Sequence, residues 1–123
     1  MKLLRWGPKG AEKPGMLDGE TVRDLSGVID DLSPATVTLE SLARLRELDP
    51  AALPAVSPDR IGACLSRVET FHAIGLNYRL HADETGNPWP KEPIVFAKAA
   101  SCLAGPDDAL TIPRDSVKTD WEV

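Results

Sequence analysis

The run Met16-Leu17-Asp18-Gly19-Glu20-Thr21-Val22-Arg23-Asp24-Leu25 sets an Asp-Gly pair between two short apolar stretches. That pair is a hairpin signature: glycine accepts a positive φ without steric cost, and so fixes the register of the strands on either side. Working outward, Leu3-Leu4-Arg5-Trp6 reads as a strand before the hairpin, and Val28-Ile29 as a continuation of the sheet after it.

From Thr38 the period changes. Leu39, Leu42, Leu45 and Leu48 recur every third residue, with Glu40, Arg44, Arg46 and Glu47 between them. This predicts a short amphipathic helix with Thr38 as N-cap and Asp49-Pro50 as its stop. Pro50, Pro54 and Pro58 then punctuate a connector to about Ile61. Residues 1–60 therefore read as an N-terminal module and 61–123 as the start of a second unit.

The second half alternates strands with irregular links. Phe71-His72-Ala73-Ile74-Gly75-Leu76 is short, apolar and bounded by turn residues, which favours a strand, with His72 packed inside it. Residues 79–85 suit one or two helical turns closed by Gly86. Pro88, Pro90 and Pro93 keep the next segment irregular, because each removes a donor and fixes φ. Ile94-Val95-Phe96-Ala97-Lys98 is a further strand. After the Gly105-Pro106-Asp107-Asp108 turn, Leu110-Thr111-Ile112 is another, and the last residues through Val123 open one more. The fold class is α+β.

Composition narrows the function classes. Fourteen Lys and Arg against nineteen Asp and Glu give a net charge of −5, the opposite of a nucleic-acid footprint. No apolar run approaches the roughly 20 residues of a membrane span. The first residues lack a signal-peptide core, so a cytoplasmic setting is expected. Cys64 and Cys102 form no C-x-x-C pair, which argues for reduced thiols rather than a zinc site or disulfide framework.

Two features could carry chemistry. In His81-Ala82-Asp83-Glu84, positions i and i+3 share one helix face, so His81 and Glu84 can meet while Asp83 points elsewhere. A carboxylate accepting from one imidazole nitrogen fixes the tautomer and raises the basicity of the other, giving a base able to deprotonate water. The same spacing also describes a solvated surface pair, and the two readings stay open on spacing alone. The second feature is Glu122, which on a strand could pair with a carboxylate two positions on; by itself it is an ordinary charged strand residue. Lys98 could bridge to a lid or solvate a strand end.

Three runs resemble the fumarylacetoacetate hydrolase family. They are Ile74-Gly75-Leu76-Asn77-Tyr78 with His81 and Glu84, then Pro90-Lys91-Glu92-Pro93-Ile94-Val95-Phe96 with Lys98, and Gly105-Pro106 through Ile112-Pro113-Arg114 to Lys118-Thr119-Asp120-Trp121-Glu122-Val123. The start resembles the small N-terminal module of the bacterial branch. The resemblance implies a catalytic domain built as a mixed β-roll, of which this chain holds the first part after a hairpin-and-helix module. It implies a divalent cation, Mg²⁺ or Mn²⁺, with Glu122 as its first glutamate ligand, and the remaining ligands beyond Val123. It makes His81 and Glu84 the water-activating dyad on a lid-like segment, with Asn77, Tyr78 and Lys98 as substrate or lid positions. Leu80 stands where an Asp commonly precedes the histidine, Ala100 where Thr or Ser is usual, and Asp115 where Gly is common.

The implied reaction is hydrolysis of a carbon–carbon bond in a 2,4-dioxo acid of the acylpyruvate type, by a homodimer acting on a small-molecule oxo acid with no nucleic acid or membrane involved. Alternatives on the same scaffold are a ureidoglycolate lyase and a 2-hydroxyhepta-2,4-diene-1,7-dioate isomerase or decarboxylase. A further alternative is a non-catalytic truncated fragment. The expectation is that the chain is incomplete within the catalytic domain and inactive by itself.

Overall fold

A computed structural model describes residues 1–119. Trp121 to Val123, read as strand, and with them Glu122, lie outside the described residues.

The first sheet is an antiparallel meander of β1 (Lys2–Trp6), β2 (Lys13–Asp18), β3 (Thr21–Asp24) and β4 (Ala55–Val56), in that spatial order. Asp18 pairs with Thr21, so the two-residue hairpin loop is Gly19-Glu20 rather than Asp18-Gly19. Gly19 has φ 58, the left-handed backbone that a first loop position needs. Leu3 faces Met16 across the β1–β2 ladder, which aligns one apolar face toward the core.

That face is covered by the helix α1 (Leu39–Arg46) and the turn before it. Thr38 caps α1 by accepting from the Ser41 amide at 3.1 Å. The core is Met16, Leu25 and Leu45, with Leu3, Val28, Ile29, Leu48 and Leu53 packed around it. The leucine repeat does not hold over its whole length: Leu45 is 2% exposed but Leu39 88%. Each three-residue step rotates about 60° backward around a helix, so Leu39 has turned away from the stripe centred on Leu45. Val28 and Ile29 reach the core from a turn, not a strand, because both amides donate to the Leu25 carbonyl.

The proline-rich connector is used structurally. Pro50–Ala52 forms a 3₁₀ turn capped by the Asp49 side chain, and β4 follows it against β3. Farther on, Ile61 bridges to Trp6, and the Gly62 amide donates to the Arg5 carbonyl at 2.8 Å. The second sheet is the antiparallel pair β5 (Phe71–Gly75) and β6 (Ile94–Lys98), with Phe71 opposite Lys98 and Gly75 opposite Ile94. Between these strands the chain forms α2 (Arg79–Glu84) and the proline segment. Among the described residues, two sheets and two short helices make the α+β architecture that the sequence pattern predicts.

Two further local expectations are corrected. Leu110-Thr111-Ile112 forms no strand, and Leu110 and Ile112 are exposed; prolines at 106 and 113 bound it and no described strand lies alongside to complete a ladder. His72 is exposed on β5 rather than packed, because it shares the strand's exposed side with Ile74, while Phe71, Ala73 and Gly75 on the other side are half-buried. Asp115 does take the left-handed conformation, φ 65, that a glycine would favour at this turn.

Candidate functional site

The helix α2 has six residues, too few to be stable through its own hydrogen bonds. Its first turn has no side-chain cap; Tyr78, at the N-cap, makes no such bond and is exposed. Its C-terminus is closed more firmly. The Asn87 amide donates to the Ala82 carbonyl at 2.9 Å and the Gly86 amide to the Asp83 carbonyl at 3.1 Å, with Gly86 at φ 68. This is the Schellman arrangement, which satisfies carbonyls a helix end otherwise leaves open. Ala82 is fully buried beneath the helix.

At about 100° per residue the helix presents two faces. Arg79, Ala82 and Asp83 fall on one; His81 and Glu84 fall on the other. The first face is tied to the proline segment. The Trp89 indole N–H donates to Asp83 Oδ1 at 2.8 Å, and the Arg79 guanidinium lies 4.6 Å from the centre of the same ring. Between β5, α2 and this segment is a cleft of about 370 Å³, lined by Asn77, Arg79, Ala82, Trp89 and Lys91 among others. Leu76, at the mouth of β5, has φ 47, a strained conformation for a leucine.

His81 and Glu84 are both exposed and do not line the cleft. No hydrogen bond or ion pair joins them, although one helical turn brings their side chains within reach. Asn77 lines the cleft; Tyr78 sits at the helix start and outside the cleft lining. Lys98 closes β6 at the far end of the hairpin, with its ammonium 5.9 Å from the Phe96 ring. The structure thus groups Asn77, Tyr78, His81 and Glu84 on one short segment and leaves Lys98 apart. Trp89 escaped the sequence reading. The signal available was Arg79 and Asp83 at i and i+4, with an aromatic residue held between Pro88 and Pro90.

The strongest electrostatics lie elsewhere. Arg60 reaches Asp108 through two hydrogen bonds, Glu12 Oε1 at 2.9 Å and the Gly7 carbonyl at 2.9 Å. Asp108 is consequently drawn down to about 2, chiefly by its bonds from Arg60 and from the Gly105 amide. Burial would raise the Glu12 carboxyl, but the Arg60 bond and the nearby Arg5 hold it below its usual value. Burial likewise works against Asp31, whose bidentate bonds from Arg5 (2.7 and 3.1 Å) win and lower it. These pairs join segments; they do not form a reaction centre. Among the described residues no group of three His, Cys, Asp or Glu converges as a metal site. The described residues alone therefore do not fit the divalent cation that the resemblance implies.

The sequence model of the fumarylacetoacetate (FAA) hydrolase C-terminal domain matches residues 70–123, which include β5, α2, the cleft and β6. Residues 70–123 belong to the fumarylacetoacetate hydrolase family. Similarity extends through residues 1–69 as well. A protein of Burkholderia multivorans named "Putative hydrolase" is 58% identical over all of this chain. Proteins of Burkholderia ambifaria and Burkholderia lata that carry the same name are each 57% identical over the same extent. The chain spans 44% of the length of these curated relatives. No helix among the described residues is long and apolar enough to cross a membrane.

Proposed function

We propose that this family member contributes to a hydrolase that cleaves a carbon–carbon bond in a 2,4-dioxo acid of the acylpyruvate type, with His81 as general base and Glu84 as its orienting carboxylate. The observation that supports the reading is the position of this pair on the unburied face of α2, within the family-matched segment and one turn from the cleft. On this reading His81 accepts a proton from water as the water oxygen bonds to the distal carbonyl carbon. The bond from that carbon to the central CH₂ breaks, its electron pair passes to the 2-oxo-acid fragment as an enolate, and the proton is returned to the enolate carbon. The products are a carboxylic acid and a 2-oxo acid. Glu84 would fix the imidazole tautomer when the side chains close the gap between them.

The proposal for the whole protein includes Mg²⁺ or Mn²⁺ with Glu122 among its ligands, Asn77, Tyr78 and Lys98 as substrate or lid positions, a homodimer, and a cytoplasmic setting. The test is incubation of the purified whole protein, of which this chain is a part, with acetylpyruvate and Mg²⁺. Equimolar acetate and pyruvate, lost on exhaustive chelation, would support the reading. Failure to form either product would overturn it.

A further inference from the structure

Trp89 holds α2 from the side opposite His81 and Glu84. The helix buries only Ala82, lacks a side-chain N-cap, and is too short to persist unaided. What attaches its polar side chains to the proline segment is one indole. Its N–H donates to the Asp83 carboxylate at 2.8 Å, and its face carries the Arg79 guanidinium at 4.6 Å. Both partners lie on the same helix face, one turn apart. The ring itself is half exposed, so packing alone does not fix it. Pro88 and Pro90 restrict the backbone on both sides of it, and the Schellman turn at Gly86-Asn87 sets where the segment leaves the helix.

We propose that Trp89 is a positioning residue, a strut that locks α2 to the segment 87–93 and thereby orients the His81–Glu84 face. The proposal deepens the reading of His81 as base and rests on it for its catalytic consequence. The strut acts by reducing the conformations of α2, so its loss should loosen the helix locally while the first sheet remains intact.

Two measurements on Trp89→Phe, Asp83→Ala, Asp83→Asn and the Trp89→Phe/Asp83→Ala pair test it. The first is amide hydrogen exchange at Ala82, Thr85, Gly86 and Asn87, whose N–H groups close α2. Trp89→Phe and Asp83→Ala should each speed exchange there by about three- to tenfold, the effect expected for one lost hydrogen bond. Asp83→Asn keeps an acceptor oxygen and should stay within about twofold, and the double variant should lose no more than either single one. Amides of β1, β2 and β3 should be unchanged and report that the fold persists. The second measurement is steady-state cleavage of acetylpyruvate by the whole protein carrying these substitutions, where the first two variants should lower kcat with KM little altered. Unchanged exchange in Trp89→Phe, or losses that multiply in the double variant, would overturn the strut. A loosened α2 together with full activity of a His81 variant would instead overturn the base assignment, so the two failures are distinguishable.

Discussion

Arg60 and Asp108, 48 residues apart, meet as a fork: Nε donates to Oδ1 at 2.6 Å and Nη2 to Oδ2 at 2.7 Å. The parallel geometry is the strong form of a guanidinium–carboxylate contact. It joins the loop after β6 to the connector beside β1. Because Asp108 is held at about 2, below its ordinary value, this stabilisation is present above about pH 4 and is lost as pH falls through 2. Melting temperature measured from pH 7 down to pH 2 should fall through that window in the wild type. In Asp108→Asn the melting temperature should start lower at pH 7 and the difference from wild type should vanish near pH 2.

Gly105 lies where the same loop touches the connector. A Cβ there would sit 2.2 Å from the Ile61 carbonyl oxygen and 3.0 Å from Gly62 Cα, both backbone atoms that cannot swing aside. Gly105→Ala should therefore destabilise by about 1–3 kcal/mol, the usual cost of overpacking. A shift of the urea midpoint to lower concentration, with an unchanged slope, is the expected result.

Leu45 and Leu39 offer an internal contrast on one helix. Leu45→Ala empties part of the core and should cost about 2–5 kcal/mol. Leu39→Ala removes an 88% exposed side chain and should change stability by less than about 0.5 kcal/mol. Thr38→Ala removes the cap and should fall between them, at about 1 kcal/mol. Urea unfolding of the three variants checks the order.

Glu12 is shared by two guanidiniums, Arg60 at 2.9 Å and Arg5 at 3.5 Å. Removing it leaves both with one acceptor fewer in a mostly buried place. Glu12→Ala should destabilise by about 1–3 kcal/mol, the cost of unpairing a charged hydrogen bond. Thermal unfolding of Glu12→Ala beside the nearby exposed control Lys9→Ala would show it.

Much of this arrangement was legible in the sequence because it rests on local chemistry. Gly19 dictates a hairpin, Thr38 caps α1, and Gly86 ends α2, each through backbone constraints that a few adjacent residues decide. What was not legible depends on neighbours far along the chain. Leu110-Thr111-Ile112 has strand composition, but a strand exists only with a ladder partner, and periodicity cannot supply one. His72 looks buried by its neighbours in sequence, yet exposure is set by what covers β5. Arg60 gives no local sign of pairing with Asp108. The site follows the same division: the i, i+3 placement of His81 and Glu84 could be read directly, whereas the attachment of their helix through Trp89 required the turn geometry at residues 86–90.

The chain has two histidines, and they separate the central claim cleanly. His72 and His81 are both exposed, one on β5 and one on α2. Turnover of acetylpyruvate by the whole protein carrying His81→Ala or His72→Ala, compared with the unsubstituted whole protein, is the most direct measurement. A general base on α2 predicts a loss of about 10²–10⁴-fold in kcat for His81→Ala and near-parent activity for His72→Ala. Full turnover in His81→Ala would contradict it.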